Sequence, residues 1–201
     1  MSKIGFAFTS SYCTFDEVLL QLIQLKEEGH EIFPIASENS LKYDTRFYKA
    51  KEFRHKLETI TGKKITDTIV EAEKFGPKEK LDIIVIAPAT GNFIAKIANG
   101  ITDNAVLMAT KATLRNGNCA IIGVSTNDGL GMNGVNIAKL INTKNIFFIP
   151  FGQDDYVNKP NSLISHYDLL LPTINEALKQ KQLQPILKEY DKKYNDYTSQ
   201  S

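Results

Sequence analysis

Short apolar runs recur along the chain, and stretches of helical period fill the gaps between them. Lys3-Ile4-Gly5-Phe6-Ala7-Phe8, Glu31 to Ile35, Leu81 to Ala87, Cys119 to Val124 and Ile146 to Ile149 are apolar on nearly consecutive positions, as expected of parallel strands covered on both faces. Between the first two, Phe15, Val18, Leu19 and Leu22 recur at helical spacing. Thr14 and Glu17 have the spacing of a capping box at the start of that helix, and Gly29 is placed to end it in a left-handed conformation. Pro88 is expected to end the central strand.

Further helices are expected near Lys49 to Thr61, near Thr66 to Glu73, through the small residues Ala95 and Ala98 up to Gly100, over Ala105 to Leu114 with Asp103 or Asn104 as its cap, and over Met132 to Ile141. Asn161-Ser162-Leu163 reads as the opening of a helical stretch, and Thr173 to Lys181 as another. The alternation predicts a single doubly wound, Rossmann-like α/β domain with a mostly parallel sheet and helices on both faces. Residues 1–187 form that domain. Residues 188–201 are polar with scattered Tyr and read as a mobile tail.

Composition narrows the partners. The 201 residues are 42% hydrophobic and 23% charged, enough for one buried core. With 24 basic against 23 acidic residues the formal net charge is +1, so no overall field favours nucleic acid or an anionic membrane. No apolar run approaches the roughly 20 residues that span a bilayer. Met1-Ser2-Lys3 leads directly into a strand, without a signal-peptide core, so a cytoplasmic protein is expected. Cys13 and Cys119 have no CxxC spacing and read as free thiols; His30, His55 and His166 do not cluster, and no metal site is expected.

The candidate chemistry lies in the loops that follow strands, where open parallel sheets bind ligands. Thr9-Ser10-Ser11, Ala36-Ser37, Pro88-Ala89-Thr90-Gly91-Asn92 and Ser125-Thr126-Asn127-Asp128 are rich in hydroxyls and amides and nearly free of charge. Hydroxyl-bearing loops that enter helices can cradle a phosphate without a lysine, because helix starts present free N–H groups and partial positive charge. Any one such loop is more often an ordinary helix cap; four at one sheet edge point to a phosphate-bearing planar ligand. The dinucleotide fingerprint GxGxxG is missing, since no glycine follows Gly5 until Gly29. A monophosphate is implied, although Glu38 stands near where a ribose-binding acid would.

On these residues the chain resembles the FMN-binding cysteine-decarboxylase-like flavoprotein family, which includes pantothenoylcysteine decarboxylases and flavin prenyltransferases. The resemblance runs from about Lys3 to Leu171. Its most specific part is Ala87-Pro88-Ala89-Thr90-Gly91-Asn92 with its continuation from Ala95 to Asn104, similar to the family's PASANT motif. The resemblance implies FMN, with Thr9, Ser10, Ser11 and Ser37 on its phosphate and ribityl chain. Pro88, Ala89, Thr90 and Asn92 would contact the flavin, and Ser125 and Thr126 would approach its other side. Asn127 matches the asparagine of a PxMNxxMW motif that is otherwise degraded here.

Two departures redirect the chemistry. The decarboxylases carry a histidine shortly before PASANT, and Thr66 to Ala87 contains none; the arginine that prenyltransferases carry after the fourth strand is replaced by Ser125 or Thr126. Phe8 to Thr14, Asp44 to Phe47, Ser125 to Asp128, Phe148 to Asp155, Lys159 to Ser162 and Gln182 to Ile186 resemble a branch whose members act with a separate A subunit in spore-forming bacteria. That branch converts a dihydropyridine dicarboxylate into the aromatic dicarboxylate. The resemblance then implies oxidation of a small dicarboxylate in the mother-cell cytoplasm, with NAD(P) on the partner. A non-catalytic FMN-binding partner, or another decarboxylase or prenyltransferase of the family, is the alternative. Arg46, then Lys111, are the cations expected to grip the substrate, because arginine holds a carboxylate with two parallel hydrogen bonds. A homo-oligomer, trimer or dodecamer, is implied, with Tyr43, Phe47 and Tyr48 as exposed aromatics at an interface.

Overall fold

The computed structural model describes residues 1–189. Its parallel strands are β1 (Lys3–Phe8), β2 (Glu31–Ala36), β3 (Ile83–Ala89), β4 (Cys119–Thr126) and β5 (Ile146–Phe148). Two short strands, β6 (Phe151–Gly152) and β7 (Leu163–Ser165), complete a seven-stranded sheet among the described residues. Its order is β2-β1-β3-β4-β7-β6, with β5 also pairing β4. From β1 the chain steps outward to β2, then crosses back to β3 on the other side of β1. The strand order therefore reverses between β1 and β3, where a crevice opens beyond the strand ends.

The helices are α1 (Phe15–Glu27), α2 (Glu38–Lys42), α3 (Ala50–Thr61), α4 (Ile69–Ala72), α5 (Gly91–Ala98), α6 (Ala105–Arg115), α7 (Gly134–Ile141) and α8 (Leu170–Ala177). Strand side chains alternate between the faces and divide the core in two. Ile83, Val85 and Ala87 of β3 join Phe15, Val18, Phe53, Leu57 and Ile174 from α1, α3 and α8. Ile84 and Ile86 join Phe93, Val106, Leu107 and Ile137 from α5, α6 and α7. These helices cover both faces of the sheet, as the alternation predicts. No helix among the described residues is long and apolar enough to cross a membrane.

Several local expectations give way to longer-range pairing. The central strand does not stop at Pro88; it continues to Ala89 with a register shift after Ile86. A proline has no N–H to place in the ladder, so the shift lets the strand pass through it. The shift also changes parity: Ala87 faces the α1 side and Ala89 the α6 side. Thr14 forms no capping box, because a 3-10 turn over Tyr12–Thr14 precedes α1 and the Thr14 hydroxyl donates back to the Ser11 carbonyl at 3.0 Å. Thr66 lies outside a helix because it bridges Ile35 at the edge of β2.

The stretch expected to open as a helix at Asn161 is instead β7, antiparallel to the ends of β4 and β6. His166 consequently stands between that strand and a short 3-10 turn rather than within a helix. Tyr48 is not an exposed aromatic: its ring packs on Phe15 and Phe53, with centroids at 5.9 and 5.7 Å. Lys188, the first residue of the expected tail, donates its N–H to the Phe151 carbonyl at 3.0 Å; from residue 190 onward that expectation lies outside the described residues.

Beyond β4, Gly129 packs against the Leu163 side chain of β7. A Cβ there would lie 2.6 Å from Leu163 Cδ1 and 2.8 Å from Leu163 Cβ, and the second atom cannot swing aside. Gly129→Ala is therefore expected to destabilise the fold by about 1–3 kcal/mol, measured as a lower urea midpoint at unchanged slope; an unchanged midpoint would show that this contact is loose.

Candidate functional site

Four strand ends meet at the crevice, tied together chiefly by hydroxyls. Thr9, which follows β1, is buried at 4% exposure. Its Oγ1 donates to the Pro88 carbonyl at 2.7 Å and accepts the Thr90 N–H at 2.9 Å, while its own N–H donates to the same Pro88 carbonyl at 3.3 Å. One side chain thus fixes the loop after β1 against the loop after β3. Thr90 then caps α5, accepting the Phe93 N–H at 3.4 Å. Ser11 Oγ and Ser125 Oγ lie 2.6 Å apart, which joins the β1 loop to the end of β4.

The β2 loop is fastened to the same place. Ser37 donates its N–H to the Phe8 carbonyl at 3.0 Å, and its hydroxyl pairs with Ser40 Oγ at 2.7 Å. Tyr12 closes that side by donating its phenol to the Asn39 carbonyl. Burial pushes the Tyr12 phenol above its ordinary pKa against the opposing hydrogen bond with Ser10, so it remains a donor across the neutral range.

Between these loops lies a polar cleft of about 180 Å³, lined by Thr9, Ser10, Ser37, Thr90 and Asn92 among others. Among the described residues, the N–H groups of Ser10, Gly91 and Asn92 donate to no protein acceptor. The last two begin α5, where no intrahelical acceptor exists. Of the charges here sequence reasoning named only Glu38, yet Lys96 and Asp103 also line the cleft, beside Asn104. Lys96 Nζ meets Asp103 Oδ2 at 2.6 Å, and Asn104 caps α6 by accepting the Leu107 N–H at 3.0 Å. A signal for Lys96 was present: it follows Asn92 by four residues, which puts both on one face of a helix.

Hydroxyls, free helix-start N–H groups and an ammonium make a donor set suited to one phosphate and a polyhydroxyl chain. Thr9 is the exception among the expected contacts, since its hydroxyl proton is spent inside the protein. Pro88 and Ala89 are buried in β3. Thr126 is half-buried, and its Oγ1 accepts the Asp128 N–H at 3.3 Å. A Cβ on Gly91 would fall 2.8 Å from Thr126 Oγ1 and 2.6 Å from Asn133 Nδ2, so the start of α5 is packed tightly against the loop after β4.

The residues expected to meet a substrate are less gathered. Asn127 is exposed in a turn after β4. Arg46 is exposed and lies over the Phe47 ring at 4.7 Å, on a loop held by Asp44, whose carboxylate accepts the Ala50 N–H at 2.9 Å. That hydrogen bond, with Lys49 beside it, holds the Asp44 carboxyl below the usual carboxylate range. Lys111 is exposed two turns along α6. None of the three lines the cleft. Tyr43 and Phe47, at 51% and 46% exposure, are the large apolar side chains that this loop leaves open.

Comparison with known proteins agrees with the fold. The family profile described as Flavoprotein matches residues 1–151. The B subunit of dipicolinate synthase from Bacillus subtilis (strain 168) is 51% identical over 187 residues, 93% of this chain and 94% of that protein. The crystal structure of the corresponding dipicolinate synthase B chain from Bacillus halodurans superposes with a TM-score of 0.87 at 49% identity, over 94% of this chain and 96% of that one. A dodecameric FMN-dependent UbiX-like decarboxylase from Escherichia coli O157:H7 shares the fold, with a TM-score of 0.59 at 16% identity over 74% and 79% of the two chains.

Thr9→Val keeps the shape and removes the clamp, leaving the Thr90 N–H without its partner and the Pro88 carbonyl with only the longer bond from the Thr9 N–H. A loss of about 1–3 kcal/mol is expected, read by urea denaturation, together with faster amide exchange at Thr90. Unchanged exchange at Thr90 would mean that the two loops do not depend on this hydroxyl.

Proposed function

This chain belongs to the flavoprotein family, and from that premise we propose that it is the flavin-carrying B subunit of a dipicolinate synthase. The observation that carries the reading is the cleft at the strand-order reversal, built of hydroxyls and free helix-start N–H groups. Identity of 51% across nearly the whole of the Bacillus subtilis protein supports it. The chain then works in sporulation, with an A subunit that carries NAD(P), in the cytoplasm of the mother cell.

The residues present fit FMN. Ser10, Ser37 and the N–H groups of Gly91 and Asn92 would hold the phosphate, with Lys96 supplying the cation, and Thr90 and Asn92 would meet the ribityl chain and flavin. Pro88 and Ala89 would wall one side of the ring; Ser11, Ser125 and Thr126 would close the other. Thr9 would act through Pro88 and Thr90 rather than by touching the phosphate. When bound, flavin would supply two-electron redox chemistry, the kind needed to turn a dihydropyridine ring aromatic with loss of a hydride and a proton. The protein's part is binding, orientation and exclusion of water.

The product, pyridine-2,6-dicarboxylate, and its dihydro precursor carry two carboxylates. Arg46, with its planar fork, is the residue we assign to one of them, and Asn127 to hydrogen bonding beside it; Lys111, two turns from the cleft, is the weakest of the three. That Arg46 stands outside the cleft favours a second reading, in which the substrate site is completed by the A subunit or by another copy of this chain. A homo-oligomer, trimer or dodecamer, would bring the Tyr43 and Phe47 loop against a neighbour.

The test is the chain purified alone, given FMN, the dihydrodipicolinate precursor and an artificial electron acceptor, and then mixed with the A subunit. A yellow protein that turns over alone supports the catalytic flavin subunit. Turnover only in the mixture supports the completed-site reading. A colourless protein that takes up no added FMN would overturn both.

A further inference from the structure

The polar cleft opens into a second, larger pocket of about 520 Å³, within the range of about 300–1,000 Å³ typical of small-molecule sites. The two share Glu38, Asp103 and Asn104 as a common wall. This pocket lies on the β2 side of the cleft, because its Asp67, Thr68 and Ile69 continue the segment that bridges Ile35 through Thr66. Pro88, Ala89, Ser125 and Thr126 belong to β3 and β4, on the opposite side. The flavin reading assigns the ring to that β3 and β4 side, so it leaves the pocket beside β2 without an occupant.

We propose that the pocket beside β2 receives the adenosine half of a dinucleotide, so that this chain accepts flavin adenine dinucleotide as well as the mononucleotide. The proposal rests on the flavin reading above and extends it. Leu41, Ile69 and Ala105 give the pocket apolar wall for a flat base. Glu38 opens α2 directly after the Ser37 cap at the end of β2, the place from which an acid bonds a ribose hydroxyl in dinucleotide-binding sheets. Its ion pair with Lys42 is long at 3.6 Å, and both side chains are exposed.

Charge selects among occupants. The pocket holds the carboxylates of Glu38, Asp67 and Asp103 against the cations of Lys42 and Arg54. Arg54 is committed to Asp67 at 2.6 Å, and Lys96 from the cleft to Asp103 at 2.6 Å. A dicarboxylate would therefore meet more acid than free cation, whereas an uncharged nucleoside brings donors for the carboxylates. The first loop lacks the glycines that press a pyrophosphate against a helix start; here the phosphates would lie across Ser10, Ser37, Asn92 and Lys96.

Flavin-free protein titrated with each flavin, followed by fluorescence anisotropy, tests this directly. FAD is expected to bind at least as tightly as FMN. Ile69→Trp, which fills the pocket without touching the cleft, is expected to weaken FAD about tenfold and to leave FMN within about twofold. That unchanged FMN affinity also reports an intact fold. For the unsubstituted protein, millimolar adenosine is expected to weaken FAD towards the FMN affinity and to leave FMN unchanged. FMN binding with FAD more than about tenfold weaker, or FAD indifferent to both adenosine and Ile69→Trp, overturns the proposal alone. Failure of both flavins to bind overturns the flavin reading and this proposal with it.

Discussion

One buried hydroxyl governs the geometry on which the candidate site depends. Thr9 Oγ1 donates to the Pro88 carbonyl and accepts the Thr90 N–H, so the loops after β1 and β3 cannot part without leaving two backbone groups unpaired. Each such loss costs about 1–3 kcal/mol when buried, a large share of the stability of an ordinary domain. Because Thr90 also caps α5, the same contact sets where that helix begins. The free N–H groups of Gly91 and Asn92 are thereby held over the crevice at the strand-order reversal.

The rest of the site is arranged around that clamp with few long charged side chains. Ser11 reaches Ser125, Ser37 reaches Ser40 and Tyr12 reaches Asn39, so the loops after β2 and β4 are also locked by neutral hydrogen bonds. Short hydroxyl side chains lose little conformational freedom when fixed, which suits a cleft that must exist before its ligand arrives. The cleft's ammonium, Lys96, is already paired with Asp103. An entering phosphate would compete with that carboxylate for it.

Much of this was legible in the sequence, because it is local. Consecutive apolar runs at β1 to β5 marked a sheet buried on both faces, and hydroxyl-rich loops after them marked the edge where the crevice opens. The failures were non-local. Leu163 to Ser165 becomes strand only because the ends of β4 and β6 are there to pair with it, which outweighs a weak local preference. Thr14 gave up its capping role to a preceding 3-10 turn. Thr9 looked like a phosphate ligand, and nothing in its neighbours along the chain reveals that Pro88 and Thr90 occupy its hydroxyl. Arg46 and Lys111, chosen by residue type, stand outside the cleft, a matter of which face each side chain occupies that spacing along the chain does not reveal.

The flavoprotein assignment predicts a particular place of contact as well as a particular ligand. The most direct measurement is an amide-resolved titration of the flavin-free chain with FMN. The largest shifts are expected at Ser10, Ser37 to Asn39 and Gly91 to Asn92, the backbone of the cleft. Binding whose shifts leave those amides unmoved, and fall instead along α8 or β7, would contradict that placement.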